Sequence, residues 1–455
     1  MLKRLALAAA CLGLAASAPA LAQSPEDVEG VWRGTLDVQV AQLRLELHVE
    51  AEGEALSAYM ITVDQGGQRI PIESVSWDGE TLRVDIPAIG ASYEAGLSGP
   101  DTLDGTFTQR APYPLELVRG GEAFAEIVVP PVPRVGRDEP AIVMNGDIAL
   151  AGALRLPEGE GPFPAFVMLT GTGPQDRDDT IDGRPIFDAW ASALAEQGIA
   201  SLRLDDRGVA ESGGDYATAT SDDYASDAVA GLTWLNARAE IDAARTGYLG
   251  HSEGAVTAFL ATQSSDPAFI YTLAGMTSKA EPLLYEQAEA IILGSGGNAI
   301  VVAQNRAIQS LIIDLAEGAE YGAVGEAIET GLLEAGVDAA AAETNRKAWG
   351  RDWFKRLLEI DTPALMAAYD GPVTAIYAEK DVQVVPGPQS AVAREALAGR
   401  DDAEILILEG QNHLFQDAET GLINEYNQIP QIVSPSAYEA IGAAAARLVE
   451  RADGE

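Results

Sequence analysis

Ser252 lies at the centre of Gly250-His251-Ser252-Glu253-Gly254, within the stretch RTGYLGHSEGAVTAFLATQ that runs from Arg245 to Gln263. This is G-x-S-x-G spacing, and it occurs once in the chain. A serine hydroxyl can attack a carbonyl carbon when a sharp turn holds it exposed, and glycines two places before and after give the chain room to fold back. The short apolar run Gly247 to Leu249 reads as a strand, and Val256, Phe259 and Leu260 recur at helical spacing. The serine is therefore expected on a strand-turn-helix elbow. The N–H groups that open the helix, beginning with that of Glu253, would face the oxygen that becomes negative during acyl transfer.

A serine nucleophile needs a base within hydrogen-bond reach, usually a histidine oriented by a carboxylate. The chain has three histidines. His48 falls in the N-terminal part, on the outward phase of an alternating strand. His251 adjoins Ser252, where the turn is expected to send its side chain elsewhere. His413 remains, in the loop Gln411-Asn412-His413-Leu414-Phe415 after the strand AEILILEG. The carboxylate should lie between serine and histidine, after another strand. Asp381, at the end of VTAIYAEKD, meets that condition, with Glu379 as its rival inside the strand.

A second donor for the oxyanion is expected from the loop after the strand Phe163 to Thr170, whose two glycines allow close backbone approach. The N–H of Thr172 or Gly173 would join that of Glu253. Asp176, Asp178, Asp179 and Asp182 follow in the same loop, but their spacing misses the order of a calcium loop, so no metal is expected. No cofactor is implied.

The elements that must hold these residues come in two styles. From about Val28 to Arg119 apolar and polar residues alternate, as in LRLELHV and LRVDI, with turns at Gly53, Gly66-Gly67, Gly79 and Gly105. Residues 23–125 are thus expected to form a small antiparallel β domain, barrel-like or sandwich-like. The Pro-rich residues 126–139 read as an extended linker. From residue 140 to 455 strands alternate with helices: Phe163 to Thr170, a helix around Ile186 to Gln197, Ala200 to Leu204, a helix from Asp222 to Ala239, the elbow, and Ala268 to Ala274. This is the signature of a mostly parallel, doubly wound sheet, an α/β fold whose ligand sites lie at the carboxyl ends of the strands.

Between about 276 and 365 the alternation stops, and three or four helices in a row are expected to form a cap over the strand ends. Its apolar runs Ala299 to Val302 and Leu311 to Leu315 either pack the cap onto the sheet or line the pocket for an acyl chain. The sheet resumes with Pro372 to Ala378 and Glu404 to Glu409, and the helix Ala437 to Arg451 closes the chain.

The opening MLKRLALAAACLGLAASAPALAQ has Lys3 and Arg4, an apolar segment, and Ala20-Leu21-Ala22 before Gln23. Residues 1–22 read as a secretory signal peptide rather than a membrane anchor, which predicts an exported protein, periplasmic or secreted. Cys11, the one cysteine, is inside that leader, and Ala8 stands where lipid attachment would want a leucine. The mature chain must then be held by its core without disulfides. Net charge is −41, and loss of Lys3 and Arg4 takes it to −43. Nucleic acid and anionic membrane surfaces are poor partners for such a chain.

The stretches TGTGPQDRDD, LDDRGVAESGG, GHSEGA, AEKDVQVVP and NHLFQDAETG, spread from Pro140 onward, together resemble the α/β-hydrolase superfamily. Within it the chain looks like bacterial serine carboxylesterases with a β-rich N-terminal domain and a helical cap. GVWRGTL and LDGTFTQ in the front part resemble that family more loosely. The resemblance implies Ser252, Asp381 and His413 as triad, and a pocket bordered by the loop after Asp205-Asp206-Arg207-Gly208. The expected substrate is a small-molecule carboxylic ester. A peptidase of the same fold is the first alternative, and a cell-envelope binding protein with a vestigial hydrolase is the second.

Overall fold

A computed structural model describes residues 24–38, 42–53, 55–63, 69–109, 111–121 and 128–452. The expected leader, with Cys11, and the first two residues of the expected linker lie outside them. The chain divides into two compact units that meet in sequence between Phe124 and Ala125.

The first unit is one antiparallel sheet of nine strands: β1 (Gly30–Asp37), β2 (Gln42–Glu52), β3 (Ala55–Thr62), β4 (Arg69–Pro71), β5 (Ser74–Trp77), β6 (Leu82–Ile86), β7 (Ala91–Gly99), β8 (Thr102–Gln109) and β9 (Ala111–Arg119). Their order is β4-β3-β2-β1-β9-β8-β7-β6-β5. Near the two ends of that order β3 packs against β5, so the sheet curls toward a barrel. Period-two alternation builds its core, since Leu82, Val84 and Ile86 point inward while Arg83 and Asp85 point out. Trp32, Leu47, Tyr93, Phe107 and Leu117 fill the interior. His48 stays on this unit, bonded to Glu46 and Tyr59.

The second unit opens with a hairpin that alternation and a turn explain. β10 (Arg137–Asn145) and β11 (Ile148–Leu156) pair throughout, and Gly146 turns the chain at φ 57°. The last three residues of the expected linker, 137–139, are thus strand. Then come β12 (Phe163–Leu169), a short ribbon of β13 (Thr180–Ile181) and β14 (Arg184–Pro185), α1 (Ile186–Glu196), β15 (Ala200–Leu204), α2 (Ser221–Asn236), β16 (Ile241–His251), α3 (Gly254–Ala261) and β17 (Phe269–Leu273).

Six helices follow, α4 (Ala280–Gly294), α5 (Ala299–Gly318), α6 (Val324–Glu334), α7 (Ala339–Trp349), α8 (Asp352–Glu359) and α9 (Thr362–Ala368), where three or four were expected. Short breaks at Gly296-Gly297, Gly322, Gly336 and Gly350 divide what reads in sequence as longer runs. The chain ends with β18 (Val373–Ala378), α10 (Pro386–Ala396), β19 (Ala403–Leu408) and α11 (Pro435–Ala452).

The sheet order is β10-β11-β15-β12-β16-β17-β18-β19. From β15 to β19 all neighbours run parallel. Its core strands are apolar on both faces, because α1 and α11 cover one side with Trp190, Leu194, Ile441 and Leu448, and α2 and α3 cover the other with Leu232, Leu235 and Phe259. The chain leaves β12 toward β15 on one side, then crosses back to β16 on the other. The loops after β12 and β16 therefore diverge, and a crevice opens between their carboxyl ends. Those two loops carry Gly171-Thr172 and Ser252.

Candidate active site

Ser252 stands between β16 and α3 with φ 54°, a left-handed backbone that an L residue adopts only under constraint. The constraint is visible. Its N–H donates to Leu273 O at 3.0 Å, and its carbonyl accepts from Ala255 N at 3.2 Å and Met276 N at 3.0 Å. A Cβ at Gly250 would lie 2.3 Å from the backbone of Gly254, and one at Gly254 would lie 2.2 Å from Leu169 O. Both positions of the motif thus exclude any larger residue. Gly171 packs closely on the same turn, since a Cβ there would stand 3.2 Å from the Cβ of Ser252.

Asp381 follows β18 and His413 follows β19, at the carboxyl ends of neighbouring strands. His413 Nδ1 is 2.7 Å from Asp381 Oδ2, and both side chains are buried. The other carboxylate oxygen accepts from Gln383 N at 2.7 Å and Val384 N at 2.9 Å, which fixes the acid before it meets the imidazole. The histidine loop is shaped by Asn412, whose Oδ1 accepts from Leu414 N and Gln416 N, both at 3.0 Å. Asn412 carries no chemistry, and its local sequence signal is only that of an asparagine closing a turn onto its own backbone. The rival Glu379 accepts from Gly410 N at an exposed position.

Ser252 and His413 line one cavity of about 400 Å³. Thr172 lines it as well, while its walls are Leu283, Trp349, Trp353, Phe354, Leu357 and Ile423. The cap contribution comes from α4, α7 and α8, not from the runs the sequence singled out. Ile312 and Ile313 are buried in the hydrophobic core and Ile300 is exposed. The run Leu311 to Leu315 therefore packs into the core, the plainer of the two expectations, whereas Ala299 to Val302 is largely exposed and meets neither.

Gly173 and Glu253 line a smaller cavity of about 60 Å³, with Asp206, Tyr216, Tyr224 and Arg351. Gly171 and Trp353 line both spaces. Glu253 is fully enclosed, and its carboxyl accepts from Thr172 Oγ1 at 2.7 Å and Trp353 Nε1 at 2.6 Å. Burial raises its pKa, against the lowering effect of those two donors. Asp206 is pushed up to about 8, chiefly by removal from water, with Thr170 and Gln175 opposing and Asp179 and Glu253 adding to the rise. The donor loop divides accordingly, Thr172 on the Ser252 side and Gly173 on the other.

His251 departs from expectation. Its side chain is not sent away from the site but lies buried against His413, with ring centroids 4.9 Å apart. Nδ1 is 2.9 Å from Asp179 Oδ2, and Nε2 donates to the carbonyl of His413 at 3.3 Å. The acidic loop is likewise engaged. Asp176 accepts from Asp178 N and Thr180 N, and Asp178 pairs with the buried Arg203. No group of three or more His, Cys, Asp or Glu that would hold a metal ion stands together among the described residues.

A family model described as X-Pro dipeptidyl-peptidase (S15 family) matches residues 145–367, a stretch that includes Ser252 but stops before Asp381 and His413. Esterase EstD of Thermotoga maritima is 26% identical over 282 residues, which cover 62% of this chain and 61% of that one. The alignment thus spans less than two thirds of the relative. Among solved structures, Est1E of Butyrivibrio proteoclasticus with bound ferulic acid is 13% identical, with 69% of this chain and 100% of that chain covered at a TM-score of 0.42. An esterase of Pyrococcus furiosus is 15% identical, with 72% and 99% covered at the same score of 0.42. With a serine elbow after a central parallel strand, an acid and a histidine after the next strands but one and two, and a helical insertion between β17 and β18, the chain has the α/β-hydrolase fold.

Proposed function

We propose that the protein is an exported serine hydrolase that cleaves carboxylic esters through an acyl-enzyme. The observation that carries this reading is the sharing of one cavity by Ser252, held strained on its elbow, and His413, held by Asp381. The Asp381 carboxylate accepts a hydrogen bond from Nδ1–H, so Nε2 is the ring nitrogen left to act as base. His413 removes the proton from Ser252 as the hydroxyl attacks the ester carbonyl, and delivers it to the leaving alcohol. Water then repeats the sequence on the acyl-enzyme. The oxyanion is received by the N–H of Glu253 at the start of α3, joined by that of Thr172.

The ester is favoured over the amide by the apolar walls of the cavity and by the similarity to an esterase. The peptidase description of the matching family model supports the alternative. Export rests on the leader, and the strong negative charge makes nucleic acid and anionic membranes poor partners. The deciding experiment compares kcat/KM on aryl acetates and butyrates with that on aminoacyl and X-Pro anilides. Higher values on the esters support the proposal. Efficient anilide cleavage with inert esters would replace it with the peptidase.

A further inference from the structure

The catalytic histidine has a second histidine beneath it, and that one has an acid of its own. Asp179 is fully buried, and its backbone takes the left-handed φ of 46°, a conformation aspartate tolerates better than most residues. One carboxylate oxygen meets His251 Nδ1 at 2.9 Å, and the other has no hydrogen-bond partner among the described residues. His251 in turn reaches the main chain of His413 and is packed edge-on by Phe187. Two His–Asp pairs, 381 with 413 and 179 with 251, are thus stacked through one carbonyl.

Donor accounting distinguishes the two pairs. A carbonyl oxygen only accepts, so Nε2 of His251 carries a proton. A buried carboxylate facing Nδ1 wants a proton there as well, since an ionised acid without a donor is strongly disfavoured. The two requirements together make His251 an imidazolium paired with Asp179. His413 needs only the Nδ1 proton and keeps Nε2 free. Burial opposes the charge on His251, but the Asp179 carboxylate and the His413 carbonyl outweigh it and raise the His251 pKa, with Asp381 adding to the rise. Asp179 also acts on Asp206, adding to the rise in the pKa of that acid.

We propose that Asp179 and His251 are a positioning pair for His413. The hydrogen bond from Nε2 fixes the His413 main chain, and the His251 ring supports the His413 ring from below. The base is thereby held in place. This rests on the role proposed above for His413, and it adds two residues that act through His413.

The test begins with the unaltered protein. With three histidines in the chain, imidazole 1H–15N spectra are assignable by comparison with His48→Gln and His413→Gln. We expect His251 to show two protonated ring nitrogens at pH 7, and a single neutral tautomer there would overturn the proposal whatever any variant does. Asp179→Asn removes the ion pair but leaves His251 Nε2–H for the carbonyl. His251→Gln likewise keeps a donor for that carbonyl, and both variants should lose less kcat than one without it. His251→Phe removes the donor and should lower kcat about ten- to a hundredfold with KM little changed. Wild-type kcat in His251→Phe, or an equal loss in His251→Gln and His251→Phe, would defeat the inference. Activity surviving in Ser252→Ala would instead defeat the reading of the site, so the two failures are distinguishable.

Discussion

Glu253 accepts a hydrogen bond from Trp353 at 2.6 Å, so the residue next to Ser252 in sequence is bonded to a cap helix a hundred positions onward. The same carboxyl holds Thr172, which ties the loop after β12, the start of α3 and α8 to one buried group. Trp353→Phe keeps the ring but removes the donor. Leaving a buried acceptor unpaired should lower unfolding stability by about 1–3 kcal/mol, measured in urea at pH 7. Because Thr172 shares the carboxyl, kcat should fall more than KM rises. Unchanged stability and kinetics would mean that the tie does not position the loop.

Ser252→Ala should lose turnover by about 10⁶ while melting at the same temperature, because the hydroxyl contributes little packing. A fluorophosphonate should label the parent protein and not the variant. More than a few per cent of the parent activity would remove Ser252 from its role.

Asp381→Asn should slow the reaction by about 10⁴, since an amide favours the wrong tautomer of His413. Glu379→Gln should be nearly silent, its partner being the N–H of Gly410 at the surface. The reverse ranking would exchange the two acids.

Much of this was legible in the sequence. Three histidines, one serine motif and the order serine, acid, histidine were enough to single out Ser252, Asp381 and His413, and strand alternation set the sheet from Phe163 onward. Local pattern does not reach contacts across long separations. That a turn reverses the chain at Ser252 says nothing of what packs under His251, and Asp179 meets it from 72 positions away. Trp353 reads only as an apolar residue of an amphipathic helix until its indole N–H is seen on Glu253. The hairpin of β10 and β11 had a local signal, Asn145-Gly146 between two alternating runs, and the prolines just before it drew the linker three residues too far.

Asp206 and Glu253 should make the folded state less stable as pH rises. Both pKa values are raised in the fold, so the native chain holds protons that the unfolded chain has already released above about pH 4. Their contribution is complete below that value and is lost as pH climbs toward the folded value, about 8 for Asp206. His251, also raised, acts with the same sign. Asp206→Asn should flatten the fall in Tm between about pH 5 and about pH 8 without abolishing it. An unaltered slope would show that Asp206 is ionised in the folded protein throughout.

Chain-length preference should follow α4 and α8. Leu283→Ala or Phe354→Ala should change the ratio of kcat/KM on octanoate and acetate esters, by about 1–3 kcal/mol at most. Ile312→Ala, in the hydrophobic core, should leave that ratio alone and destabilise the fold by about 2–5 kcal/mol. Ester ratios that respond to Ile312 and not to Leu283 would relocate the acyl site.

The helical insertion leaves the sheet after Leu273 and returns at Val373, on the adjacent parallel strand. Any parallel neighbour requires a crossover, and one helix would be enough. Six are spent here. The side chains of the proposed triad, Ser252, Asp381 and His413, come from outside this excursion, while the walls Leu283, Trp349, Phe354 and Leu357 come from within it. Reactivity and selectivity are consequently written in different parts of the chain. One can diverge while the other is preserved, and the bond from Trp353 to Glu253 is a point where a change in the insertion is felt at the chemistry.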